Sequence, residues 1–150
     1  MIEPDQLQKA IVAKLKANTD LVTAIGGVDR IKENYYQASK YVYPALRVDM
    51  GTQTPIGNGT DRLRLSQVNW MIRVFSEKDS SVEANNILGY AMKALFYTQI
   101  INATDKNDFP AFTFVRIDLT STNSAERISE RLWLAEAFFS SVVNTLNPLN

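Results

Sequence analysis

The chain has 150 residues, with 16 Lys plus Arg against 16 Asp plus Glu, so its formal net charge is zero, and 45% of its residues are hydrophobic. This composition is typical of a single globular domain over residues 1–150, and it argues against a disordered chain and against strong non-specific binding to nucleic acid or anionic lipid. The sequence contains no His and no Cys. These absences exclude a Ser-His-Asp triad, a thiolate nucleophile, a disulfide framework and the usual zinc sites.

The N-terminal segment predicts two helices. Its first residues are acidic and no apolar stretch reaches the roughly 20 residues that span a bilayer, so we expect a soluble chain that is not exported. Pro4 suits a first helical turn, and apolar residues then recur at helical spacing at Leu7, Ile11, Val12 and Leu15. A second, short helical turn is expected to stop at Gly26-Gly27.

The middle of the chain predicts a long hairpin. From Pro44 the apolar residues alternate, which indicates a strand, and residues 51–61 are rich in glycine and predict a hairpin tip. Past the tip, Leu63 and Leu65 have the opposite parity to the apolar positions from Val68 onward. The apolar face therefore switches near residues 66–67, as expected from a bulge or from an outer half that projects beyond the body onto another surface.

The C-terminal half predicts a core helix and two strands. A capping-box pattern at residues 80–83 begins the helix, and residues 112–119 predict the next strand. Polar residues 121–124 suggest a turn, residues 125–131 a loop rather than the alternative helical turn, and residues 131–143 a strand covered on both faces. The fold class is α+β, with a mostly antiparallel, curved sheet of long hairpins packed with an N-terminal helix and one central helix.

This order of elements resembles that of a known protein family. The segments Tyr-Pro-Ala-Leu-Arg-Val at residues 43–48 and Val-Asn-Trp-Met-Ile-Arg-Val-Phe at residues 68–75 flank the long tip, with a helix before them and a helix and two strands after them. The arrangement is similar to the tail terminator, or tail completion, proteins of long-tailed bacteriophages, and the phage lambda terminator has the nearest pattern. The likeness covers residues 3–143 and lies in element order and hydrophobic pattern.

The resemblance implies a structural protein of the virion, assembled in the host cytoplasm. Such proteins form a ring, here expected to be a hexamer, on the head-proximal end of the tail tube. The ring ends tube polymerisation and offers a docking surface to neck or head-completion proteins, while genomic DNA passes through its lumen. The resemblance implies no catalysis, no cofactor, no metal and no membrane.

Three groups of residues are candidates for these contacts. The tube or partner contact is expected at the hairpin, at Thr54, Ile56, Asn58, Leu63 and Leu65. The lumen candidates are Arg62, Arg64 and Arg73, for which a solvated strand face is the alternative. The subunit-interface candidates are Tyr35, Tyr36, Tyr41 and Tyr43, for which ordinary packing and base stacking on single-stranded nucleic acid are the alternatives.

Two other functions fit the same sequence. One is another neck or head-tail connector ring, which would bind head or portal instead of the tube. The other is a small carboxylate-dependent enzyme or ligand-binding domain, which requires a pocket that converges on Asp or Glu side chains. The pairs Asp105 with Asp108 and Glu126 with Glu130 could serve it, although solubility of exposed loops also accounts for them.

Overall fold

The computed structural model describes residues 4–33, 42–56, 65–78, 80–96, 102–104 and 110–144. Its helices are α1 (Pro4–Lys16), α2 (Thr19–Ile25) and α3 (Val82–Phe96), with a 3-10 turn at Val28–Arg30. Its strands are β1 (Ile31–Glu33), β2 (Ala45–Pro55), β3 (Leu65–Ser76), β4 (Asn102–Thr104), β5 (Pro110–Ser129) and β6 (Leu132–Asn144). In this part of the chain no helix has both the length and the apolar character that crossing a bilayer requires.

Helices α1 and α2 begin and end as their sequences predict, whereas Glu83 of α3 accepts a hydrogen bond from Ser76 Oγ instead of closing the predicted capping box. The apolar side of α1 is fully buried at Leu7, Ile11 and Leu15. The side-chain oxygen of Asn18 accepts a hydrogen bond from the Leu21 amide at 2.9 Å and caps α2. Gly26 then ends α2 with φ +95°, a left-handed conformation that favours glycine.

The strands form one sheet in the order β1-β2-β3-β6-β5-β4, in which only the β1–β2 pair is parallel. Helices α1 and α3 pack against one face of the sheet, which we call the core face, and α2 packs against these two helices. At its centre Trp70 of β3 stacks on Phe139 of β6 with ring centroids 4.3 Å apart, and the Trp70 indole N–H donates to Ser141 Oγ at 2.8 Å. The predicted α+β class with a mostly antiparallel sheet is therefore confirmed.

The predicted turn at residues 121–124 and the loop or helical turn at residues 125–131 are wrong. Strand β5 runs through both regions to Ser129, and the turn lies at Glu130–Arg131. Four register shifts against β6 each add an extra residue to β5. Since β4 pairs with β5 only at residues 110–113, the remainder of β5 lies at the sheet edge, where polar side chains are exposed and resemble a loop in the sequence.

The predicted hairpin also differs from the structure. Residues 51–55 are not part of the tip, because β2 continues through them, with Gly51 and Thr52 bulged opposite Asn69. Strand β3 has no bulge at residues 66–67 and pairs with β6 as far as Leu65, so the described outer half stays within the sheet. The parity switch has a simpler cause: Ser66, 1% exposed, continues the core face, and Leu65 lies on the opposite, outer face.

Two smaller differences concern the short strands and β6. The strands β1 and β4 were not predicted. On β6 the core face is buried, whereas the outer face is half-buried rather than covered. Residues 57–61 of the predicted tip lie outside the described residues.

Candidate assembly surface

The hairpin end of the sheet brings together three of the five contact candidates. Thr54 pairs with Gln67 in the β2–β3 ladder, and the Ile56 amide donates to the Leu65 carbonyl at 3.0 Å. Thr54 is exposed, Ile56 is half-buried and Leu65 is 36% exposed. We call Thr54, Ile56 and Leu65 the hairpin end. The other two candidates, Asn58 and Leu63, lie outside the described residues.

The β2 bulge sets the geometry of this end. A Cβ placed on Gly51 would lie 2.8 Å from the main-chain oxygen of Asn69, closer than real Cβ atoms approach a neighbour. Glycine therefore lets β2 pass close to β3 at the point where the register shifts. Past the bulge, Gln53 pairs with Val68 and the ladder continues to Pro55 opposite Ser66.

Arg73 occupies the middle of the outer face. Its Nε lies 2.5 Å from Asp49 Oδ2 on β2, its guanidinium carbon lies 5.7 Å from the centroid of the Phe75 ring, and Glu136 of β6 is its cross-strand neighbour. The side chains of Arg73 and Asp49 are 31% and 15% exposed. The ion pair compensates the positive charge of Arg73, which weakens the case for a cation directed at passing DNA. The two other lumen candidates, Arg62 and Arg64, lie outside the described residues.

Arg73 and the hairpin end are separate sites. Leu65 and Arg73 share the outer face of β3 but are eight residues apart, which corresponds to about 27 Å along a strand. A groove of about 460 Å³ on the sheet is lined by Asp49 together with Met71 and Phe138. Asp49 Oδ1 is buried and has no hydrogen-bond partner in the described structure.

Tyr43 lies at the opposite end of the sheet from the hairpin end. It precedes β2 in a cis peptide bond to Pro44, and its carbonyl accepts a hydrogen bond from Arg30 Nη1 at 2.8 Å. The residue is half-buried and lines a groove of about 430 Å³. The three other interface candidates, Tyr35, Tyr36 and Tyr41, lie outside the described residues.

In the part of the chain that the structure describes, the carboxylate pairs proposed for an enzyme do not line a pocket. Glu126 and Glu130 are both exposed, on β5 and in its turn, while Asp105 and Asp108 lie outside the described residues. Within the ranges described, no three or more acidic side chains are placed to hold a metal ion. The 430 Å³ groove does contain Glu77 and Glu83, but Arg30 and Lys78 line it too, so its charges balance.

Most of the exposed apolar residues were not among the candidates predicted from the sequence. Six large hydrophobic residues in the described part of the chain are exposed, and only Leu65 among them was a candidate. The others are Val28, Val42, Val82, Tyr90 and Ile128. The available signal was weak: each is a single apolar residue at the border of an element or on its polar side, and such residues are common on surfaces.

Comparisons with known proteins find similar folds among solved structures but no match in sequence. No protein-family model matches the sequence, and no curated protein matches it. A chain from the virion of a native gene transfer agent (GTA) particle is similar with a TM-score of 0.69, over 93% of this chain and 96% of that chain, at 13% sequence identity. The two chains share a fold. The bacteriophage SPP1 gp17 protein is similar over 98% of this chain and 93% of that chain, at 16% identity and a TM-score of 0.49.

Proposed function

We propose that this protein is a tail terminator of a phage-like particle. The observation that supports this most is the fold, which a chain of a gene transfer agent virion shares over nearly the full length of both chains. In this proposal the protein is a structural component of the virion without catalytic activity. Copies of the chain, six by the family resemblance, form a ring on the head-proximal end of the tail tube, end its polymerisation and bind neck or head-completion proteins.

The hairpin end is the proposed tube contact. Leu65 exposes apolar surface where β3 begins, between β2 and β6, and Thr54 on β2 offers an exposed hydroxyl. Apolar groups beside polar ones are typical of protein interfaces. Asn58 and Leu63 lie between Ile56 and Leu65 in the sequence and remain part of this proposal.

The zero net charge of the chain is consistent with an assembly role. A neutral protein has little charge repulsion between copies, so subunits can approach one another at ordinary ionic strength. Ring closure requires head-to-tail contacts related by rotation, for which part of the Tyr35–Tyr43 cluster is proposed. Arg62, Arg64 and Arg73 are the proposed lumen residues, with Arg73 the weakest of the three because Asp49 compensates its charge.

The test is capping of cognate tail tubes by the purified chain. Tubes grown with the wild-type protein are expected to stop elongating and to carry a ring at one end in electron micrographs. Leu65→Glu is expected to abolish capping, because it places a charge in the proposed contact. Ala13→Glu, at an exposed position on α1, is the matched control and should cap normally. A protein that does not bind tubes but binds heads or portals would instead be a connector ring.

A further inference from the structure

Four exposed hydrophobic residues lie at the end of the sheet opposite the hairpin end, on four different segments of the chain. The ladder places the start of β2, the end of β3, the start of β6 and the end of β5 side by side, in the row Ala45, Phe75, Leu134 and Glu126. Val42 precedes β2 and Ile128 lies near the end of β5. Val28 precedes β1, whose first residue pairs next to the start of β2. These residues come from distant parts of the sequence and share one end of the sheet because of its strand register.

Val82 belongs to the same end because α3 starts there. Ser76, the last residue of β3, donates its hydroxyl proton to Glu83 Oε1 at 2.7 Å and so holds the first turn of α3 against the strand end. The exposed fractions are 49% for Val28, 57% for Val42, 60% for Val82 and 46% for Ile128. We call these four residues the basal rim.

Two grooves open at the basal rim. One is the 430 Å³ groove that Tyr43 and Pro44 line, and the other, of about 530 Å³, runs along α3 and is lined by Val82 and Tyr90. The grooves share Ala24, Lys78 and Glu83, so they adjoin each other. Each is large enough to admit a few side chains of another protein.

The charges around the grooves indicate what kind of partner fits. Arg30 and Lys78 are balanced by Glu77 and Glu83. A balanced surface does not attract the phosphates of DNA or of a lipid bilayer, since that binding depends on an excess of positive charge. Apolar side chains surrounded by charges of both signs match the usual composition of a protein–protein interface.

We propose that the basal rim is the docking surface for the neck or head-completion protein, which inserts apolar side chains into the 530 Å³ groove along α3 and pairs its charges with Lys78 and Glu83 beside it. This inference rests on the proposed function, in which the hairpin end contacts the tube. Because β2, β3 and β6 run from the hairpin end to the basal rim, the two partners are bound at opposite ends of the same sheet. A rim-to-rim contact between two copies would be two-fold and could not close a ring.

The test introduces a single charge at the basal rim or at the hairpin end, so that head joining and tube capping can be assayed separately. Val82→Glu puts a carboxylate on the first residue of α3, where the helix dipole favours it, so the variant should remain folded. It is expected to cap tubes like the wild type but to join capped tails to purified heads at least about tenfold less well, as for loss of a central interface contact. Ile128→Glu, on a different element, should do the same. Leu65→Glu should lose capping, and Ala13→Glu should lose neither activity.

The possible results distinguish failure of the proposed function from failure of the docking assignment alone. If the wild type does not cap tubes, the proposed function fails and the docking assignment fails with it. If the wild type caps tubes and both rim variants still join heads normally, only the docking assignment is overturned. If sedimentation shows that the wild type forms back-to-back pairs of rings that Val82→Glu separates, the rim is a self-contact and the assignment is also overturned.

Discussion

At the scale of single residues, two glycines have opposite roles. A Cβ on Gly51 would lie 2.8 Å from the Asn69 carbonyl oxygen, whereas a Cβ on Gly89, inside α3, would meet no atom within 4 Å. Gly51→Ala should therefore lower the free energy of unfolding by about 1–3 kcal/mol through overpacking. Gly89→Ala should raise it by about 0.5–1 kcal/mol, because alanine loses less backbone entropy in a helix. Urea unfolding of both variants measures the difference, and a Gly51→Ala protein as stable as the wild type would refute the close approach.

The ion pair between Asp49 and Arg73 gives a second prediction at this scale. Asp49→Asn removes the charge partner of a guanidinium that is only 31% exposed, and we expect it to lower the unfolding free energy by about 1–3 kcal/mol. The control is Asp118→Asn, because the Arg116–Asp118 pair is at 2.6 Å but its side chains are 66% and 49% exposed. Exposed pairs contribute about 0–1 kcal/mol, so this variant should change stability little. Equal losses from the two variants in urea unfolding would contradict the structural role of Asp49.

At the scale of elements, α3 stabilises the bulged end of β5. Asn85 Oδ1 accepts a hydrogen bond from the Ala125 amide at 2.8 Å, within the bulge between Asn123 and Glu126. Asn85→Ala should remove the partner of this amide, speed its hydrogen exchange and cost about 0.5–1.5 kcal/mol of stability. Asn86→Ala, the adjacent residue on the groove side of α3, is the control and should leave the Ala125 amide protected. If the hydrogen exchange of the Ala125 amide is unchanged in Asn85→Ala, the bulge does not depend on the Asn85 hydrogen bond.

The elements that the sequence predicted are those determined by local patterns. The apolar spacing of α1 and the Gly26 stop of α2 act within a few residues, and the structure confirms them. Strand β5 was mistaken for a turn because an edge strand with one paired side exposes polar residues, as a turn does. The parallel pairing of β1 with β2 depends on residues about 15 positions apart, which no local pattern reveals.

For the candidate site, too, the sequence predicted only those features that depend on a local pattern. The outward parity of Leu65 could be derived from alternation along β3, and the structure places this side chain on the outer face. The contact between Arg73 and Asp49 depends on the register between β2 and β3, which a single-strand pattern does not contain. The basal rim was not predicted, because its four residues come from four separate segments, and no single-segment pattern shows that these segments end at the same side of the sheet.

At the scale of the whole molecule, the sheet has two ends with different surfaces. The hairpin end exposes Leu65 and Thr54, and the basal rim exposes Val82 and Ile128 beside two charge-balanced grooves. A ring subunit that joins a tube to a neck needs two such separated contact surfaces. The proposed terminator function therefore makes use of both ends of the strands, and the helices on the core face support the sheet between them.

The measurement that tests this account most directly is the mass of the protein in solution across a range of concentrations, by sedimentation, before and after cognate tail tubes are added. We predict a species near six times the 16.9 kDa subunit mass, or a monomer that forms rings only on tube ends. A protein that stays monomeric at all concentrations and leaves tube length unchanged would contradict the terminator function.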